Sequence, residues 1–202
     1  LAVGAGMYED LDAYSSVISD TLFENNRLVV DAVGPTVNIS GAGLYSKRGT
    51  SGSSTLIQNR LCLSNGSAGQ KTVAGTAIYN SGYGFKAINS AFIDNEGGRT
   101  IYAVNATQGQ NVIANSVFSG SAGVDISGAV FNLYNNYLNV ANSDAALLYK
   151  KGNFHGGDLA FDGDGYQLTD SSVLVDAGKI DDALFELPKK DFLGKNRIFN
   201  GK

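Results

Sequence analysis

AINSAFIDN, residues 87–95, is the stretch whose reading decides the fold. Weaker copies of it occur four more times: ISDTLFENN (18–26), IQNRLCLSN (57–65), IANSVFSGS (113–121) and LYNNYLNVA (133–141). The shared pattern is apolar, x, Asn or Asp, x, x, large apolar, x, x, polar. Its polar column is Asp20, Asn59, Asn89, Asn115 and Asn135, and its large apolar column is Phe23, Cys62, Phe92, Phe118 and Leu138.

A second series interleaves with the first: GAGMYE (4–9), GAGLYS (41–46), GTAIYN (75–80), GRTIYA (98–103) and AALLYK (145–150). Its core is a small residue, an apolar residue and a tyrosine, giving the column Tyr8, Tyr45, Tyr79, Tyr102 and Tyr149. GVDIS (123–127) is a degenerate copy. Units recur roughly every 20 to 40 residues, the period of stacked supersecondary units.

Helical repeats need apolar residues at i, i+3, i+4 and i+7 over ten or more positions. Here the apolar runs are short, rich in Ile, Val, Phe and Tyr, and bounded by Gly, Ser and Asn, which is strand-and-turn chemistry. A β-sandwich with Asn-Ser turns is the alternative. The expected fold is all-β: a right-handed parallel β-helix, a solenoid of about five to six coils. Residues 1–155 would form the coils, and residues 156–202, which lose the repeat, an irregular C-terminal cap.

One coil cannot bury its own apolar face, so each copy covers its neighbours. Coils stacked at about 4.8 Å would align the Phe column as an interior file. The Asn column would form a ladder of side-chain amides, since an amide donates and accepts at once. Cys62, in the Phe column, reads as a buried small hydrophobe. The tyrosines point outward if Met7, Leu44, Ile78 and Ile101 point inward, or the reverse. An outer row of Tyr45, Tyr79 and Tyr102 could stack on sugar rings, making polysaccharide or cell-surface glycan the expected partner.

Composition narrows the functional classes. Charged residues are 17% of the 202, against about 25% in average proteins, and glycine reaches 26, favouring turns and strands over surface helices. A net charge of −4 without a basic stripe argues against nucleic acid. No apolar run reaches about 18 residues, so no membrane span is expected. The single cysteine cannot form an internal disulfide. The opening LAVGAGMYEDL lacks Met and shows no signal peptide, suggesting a mature fragment or excised domain of a longer parent.

GTAIYN followed by INSAFIDN resembles the GGAIYN and FxxN repeats of parallel β-helix proteins exported by bacteria, including polymorphic outer-membrane proteins. FDGDGYQLTDSSVLVDAGK (161–179) and KKDFLGKNRIFNGK (189–202) resemble the tail of the choice-of-anchor Q family. The matching positions are Asp164, Tyr166, Leu168, Ser172, Asp176, Ala177, Gly178, Asp191, Gly194 and Arg197. Val173 stands where that family usually has proline, Gly165 separates Asp164 from Tyr166, and the chain stops before the family's next strand. The resemblance implies a pectate-lyase-like superfold and a secreted or cell-surface location. It implies no reaction.

Few residues suggest chemistry. Asp94, Glu96 and Arg99 in DNEGGR form the best cluster for a polysaccharide lyase or glycoside hydrolase, with Glu24 and Arg60 brought near if the columns stack. The competing reading is a polar turn. Asp162 and Asp164 in DGDG resemble the start of a calcium loop, but Ala160 stands where a further ligand is due and no Glu closes the loop, so no cofactor is expected. His155, the single histidine, reads as a surface turn residue. With four Glu and one His, the chain is poorly stocked for acid-base work. The expected function is therefore non-catalytic display, adhesion or glycan contact. The alternative is a lyase or hydrolase with part of its site upstream of this chain.

Overall fold

The computed structural model describes residues 2–4, 6–10, 15–29, 39–47, 55–58, 61–63, 65–68, 74–104, 111–121, 123–138, 147–163, 167–178, 189–191 and 194–196. Among these residues there is no helix, and hence none long and apolar enough to cross a membrane. The strands recur in passes. The first holds β1 (Ala2–Val3), β2 (Met7–Asp10), β3 (Ser16–Ser19), β4 (Leu22–Glu24) and β5 (Arg27–Val29). The second holds β6 (Ile39–Ser40), β7 (Leu44–Lys47), β8 (Thr55–Gln58), β9 (Leu61–Leu63) and β10 (Gly66–Ala68). Next come β11 (Ile78–Asn80), β12 (Phe85–Ile88) and β13 (Ala91–Ile93), then β14 (Arg99–Ala103), β15 (Asn111–Ala114) and β16 (Val117–Ser119). β17 (Val124–Gly128), β18 (Phe131–Tyr134) and β19 (Leu147–Lys151) complete the described strands.

Corresponding strands of successive passes pair in parallel. The first sheet runs β17-β14-β11-β7-β2, the second β19-β18-β15-β12-β8-β3 and the third β16-β13-β9-β4. Two short parallel pairs, β1 with β6 and β5 with β10, accompany them. One hydrophobic core draws on all three sheets: Leu44 and Ile78 from the first, Ile57 and Ile113 from the second, Phe92 and Phe118 from the third. The large apolar column lines up as expected. Phe23 pairs with Cys62, Cys62 with Phe92 and Phe92 with Phe118, and the last two rings stack at 4.8 Å. The side chain of Cys62 lies outside the described residues.

The polar column plays a different part from the one expected. Asp20, Asn89, Asn115 and Asn135 have φ of 50°, 50°, 49° and 52°, and Gly152 takes 69° at the equivalent bend. They turn the chain from the second sheet to the third in the left-handed conformation that Asn and Asp tolerate. The ladder is built one residue later. Ser90 N donates to Ser116 Oγ (3.2 Å), Ser116 N to Asn136 Oδ1 (2.9 Å), and both Asn136 N and Nδ2 to Asn153 Oδ1 (3.0 and 2.9 Å).

A second ladder runs along Asn26, Asn65 and Asn95. Asn65 Oδ1 accepts from Asn26 N and Nδ2, and Asn95 Oδ1 accepts from Asn65 N and Nδ2, over 2.9–3.2 Å. Both ladders satisfy backbone N–H groups at bends where no strand partner is available.

The second sheet is buried on both sides in its later passes. Ile88, Val112, Ala114 and Tyr134 form a separate apolar cluster, flanked by Leu56, on the face away from the core. Burial grows along this sheet: Val17 in β3 is 65% exposed, whereas Val112, two strands beyond Leu56 in the same file, is 3% exposed. The C-terminal segment returns to this side, since a β-carbon on Gly178 would lie 3.6 Å from Asn115 Cγ. Continuous apolar runs such as VIA (112–114) are the sequence mark of a strand covered on both faces.

One assignment is corrected. Tyr149 pairs with Asn132 of β18 in the second sheet, outside the tyrosine file, and Ser127 of β17 pairs with Tyr102 in its place. Small-apolar-Tyr describes any outward tyrosine after an inward residue, so the motif alone does not identify which sheet carries it. A register shift between Phe131 and Asn132 allows Tyr149 to fall there.

Candidate functional site

On the first sheet, strand alternation sends Leu44, Ile78, Ile101 and Ile126 into the core, where all are fully buried. The tyrosines beside them therefore face outward. Tyr8, Tyr45, Tyr79 and Tyr102 sit in exact register: Tyr8 opposite Tyr45, Tyr45 opposite Tyr79, Tyr79 opposite Tyr102. Ring centroids are 5.3, 4.9 and 5.5 Å apart, with interplanar angles of 8°, 7° and 31°. Arg99 Cζ stands 5.2 Å from the Tyr102 centroid.

This geometry changes what the row can do. Nearly parallel rings at these separations are offset-stacked on one another, each pair contributing about 0.5–1.5 kcal/mol beyond area burial. The faces of Tyr45 and Tyr79 are spent on neighbouring tyrosines, leaving edges and hydroxyls toward solvent. Tyr8 stacks on Tyr45 and is 49% exposed.

Around Tyr8 the polar groups are ordered. Tyr8 Oη–H donates to Asp10 Oδ2 (3.2 Å), and Lys47 Nζ donates to the same oxygen (3.0 Å). The Lys47 bond and charge hold the Asp10 carboxyl below the usual 3.8. The Tyr8 phenol is held above 10.0 by partial desolvation and then by the Asp10 carboxylate. Burial, then the adjoining Tyr45 and Tyr102, raise Tyr79 as well. All the row's hydroxyls shown to shift thus stay protonated at neutral pH.

The structure divides the acidic cluster. Glu96 Oε2 pairs with Arg27 across 3.2 Å on an exposed surface. Arg99 turns to Tyr102. Asp94 takes φ 53° at a bend, its carboxylate filling the space that a side chain on Gly120 would need. Glu24 falls in the same file as Ile93, two strands away through Leu63. Arg60 lies outside the described residues. Arg27, the partner Glu96 does find, belongs to neither repeat series, so no sequence signal marked it.

In the tail, Asp162 Oδ1 accepts from Gln167 N (3.2 Å) in a turn closed by the Phe161–Leu168 bridge. Asp164 lies outside the described residues. Asp191 Oδ1 caps a turn by accepting from Lys195 N (2.8 Å). Among the described residues no three His, Cys, Asp or Glu side chains are grouped to hold a metal ion. His155 is exposed.

Asp10, which accepts from the Tyr8 hydroxyl, escaped the sequence reading. Asp10 was signalled only by lying two residues after a tyrosine, on the same strand face. Asn26, Asn65 and Asn95, the closing polar position of the repeat, form a ladder that the sequence pattern marked only as polar. No family model matches this chain, and no curated protein or solved structure does either.

Proposed function

We propose that the three sheets are the faces of a right-handed parallel β-helix of about five to six coils, similar to exported choice-of-anchor Q proteins. In this reading the chain is a non-catalytic part of a secreted or cell-surface protein, serving display or adhesion through glycan contact. The observation that carries it is the outward tyrosine file on the first sheet, in register over four strands. A stiff parallel stack holds such a file at fixed spacing without loops, and tyrosine combines an apolar body with a polar tip suited to a wet sugar surface. Asp94, Glu96 and Arg99, pointed to different neighbours, favour the turn reading over a lyase centre.

The test is a pair of measurements on the whole chain: binding to an immobilised oligosaccharide array, and release of unsaturated product from polyuronate. Binding without degradation is expected. Unsaturated product that disappears in Arg99→Ala overturns the non-catalytic reading.

A further inference from the structure

We propose that Tyr45 and Tyr79 are a modification site, where a one-electron oxidant of the haem-peroxidase class joins the two rings as dityrosine and staples the second pass to the third. This does not rest on the glycan reading above.

Strand register brings the rings together. Tyr45 of β7 and Tyr79 of β11 are direct partners in a parallel pair, so their backbones lie about 4.8 Å apart. Leu44 and Ile78 beside them are fully buried and fix both strands on the core. Like positions on parallel strands send both phenols out in one direction, hydroxyl beside hydroxyl and ε-carbon beside ε-carbon. Dityrosine has the same layout: one bond joins two ε-carbons and both hydroxyls flank it. With centroids 4.9 Å apart at 7°, this is the shortest and flattest contact of the file. A quarter turn of each ring about χ2, a broad torsion, exchanges face contact for edge contact. Both rings are half-buried, with edges toward solvent where an oxidant reaches them.

The other tyrosines of the file are more constrained. Tyr8 Oη–H is tied to Asp10 Oδ2, which also holds Lys47. Tyr102 is tilted 31° from Tyr79 and has Arg99 Cζ 5.2 Å from its centroid. The hydroxyls of Tyr45 and Tyr79 take no hydrogen bond among the described residues, so none has to break when their rings turn. Elsewhere, Tyr134 and Tyr137 are buried.

The coupling balances. Each phenol gives up one electron and its hydroxyl proton, leaving a phenoxyl radical whose unpaired electron is shared with the ε-carbons. The two radicals pair to form one Cε–Cε bond. The hydrogen on each joined carbon then passes through water to the oxygen, restoring both hydroxyls. Two electrons and two protons leave in all, and they reduce one hydrogen peroxide to two waters. Rings held side by side meet at an effective concentration of about millimolar or above, so in micromolar protein the bond within a chain outruns coupling between chains.

The experiment treats the whole chain, at micromolar concentration, with a haem peroxidase and hydrogen peroxide. Dityrosine is read by its blue fluorescence and by mass spectrometry of tryptic peptides. Expected is a linked species, two hydrogens lighter than its parts, joining peptide 28–47 to peptide 72–86 through Tyr45 and Tyr79. Its yield per chain should not change on dilution. Tyr45→Phe and Tyr79→Phe, which keep the stack but form no phenoxyl radical, should each lose the fluorescence. Tyr8→Phe and Tyr102→Phe should keep it. Circular dichroism melts before oxidation are the folding control, and the wild-type peptide map decides the site even where a variant melts early. A link mapped to Tyr83, or to any pair other than Tyr45 and Tyr79, overturns the proposal. So does a yield that falls with dilution, the mark of coupling between chains. Absence of dityrosine under conditions that couple free tyrosine overturns it as well.

Discussion

Asn89 shows how much a single residue is asked to do. It holds φ at 50° between β12 and β13, and its Nδ2 is buried without a hydrogen-bond partner. A residue without a β-carbon relieves both costs, so Asn89→Gly should be neutral or stabilising, within about 1 kcal/mol. Asn89→Ala keeps a β-carbon in left-handed backbone and should cost about 1–2 kcal/mol. Urea denaturation midpoints of the two variants check the sign. Glycines divide the same way. Gly75 has φ 68°, and a β-carbon there would overlap the Ile78 carbonyl, whereas nothing lies within 4 Å of one on Gly163. Gly75→Ala should lower stability by at least about 2 kcal/mol, and Gly163→Ala should change it by less than about 0.5. At this scale sequence reading found the right residues and misjudged one role. Asn is equally suited to a turn and to an amide ladder, and only the backbone φ separates the two.

For the elements, the test lies in the files that join successive passes. Asn65 is fully buried, accepting from Asn26 and donating Nδ2 to Phe23 O (3.0 Å) and Asn95 Oδ1 (3.1 Å). Asn65→Asp replaces the donor with a carboxylate facing two oxygens and should destabilise by about 2–3 kcal/mol or more, seen as a lower thermal midpoint at pH 7. Phe92→Ala opens the third sheet's side of the core, where Phe92 stacks on Phe118, and should cost about 3–5 kcal/mol in chemical denaturation. Strands and their order in the repeat were legible because apolar runs of three to five residues alternate with Gly, Ser and Asn. The move of Tyr149 into the second sheet was not. Its strand pairs with β18 across a register shift, and local sequence carries no record of which sheet a strand joins.

Taken as a whole, the molecule couples these files to pH at both extremes. Tyr79 has a phenol raised above 10.0 by burial, so its contribution is intact below that value and is lost as pH rises through the higher folded value. Asp10 behaves in the opposite sense: held below 3.8 by Lys47, it contributes above 3.8 and loses that contribution as pH falls through the lower folded value. Ultraviolet titration should therefore show tyrosinate from Tyr79 appearing only above the ordinary phenol range, a delay abolished in Tyr79→Phe. Carboxyl-carbon NMR should place the Asp10 midpoint below 3.8 and return it toward that value in Lys47→Met. The sequence by itself determined that the chain is all-β and that Phe23, Cys62, Phe92 and Phe118 share a file, because one pass lacks apolar surface enough to bury itself and must repeat its pattern to find cover. Tertiary structure alone decided that the tyrosines face outward and stack on one another, and that the second sheet is covered on its outer side. Alternation allows either face to be the inner one; only packing all three sheets around a common core selects it.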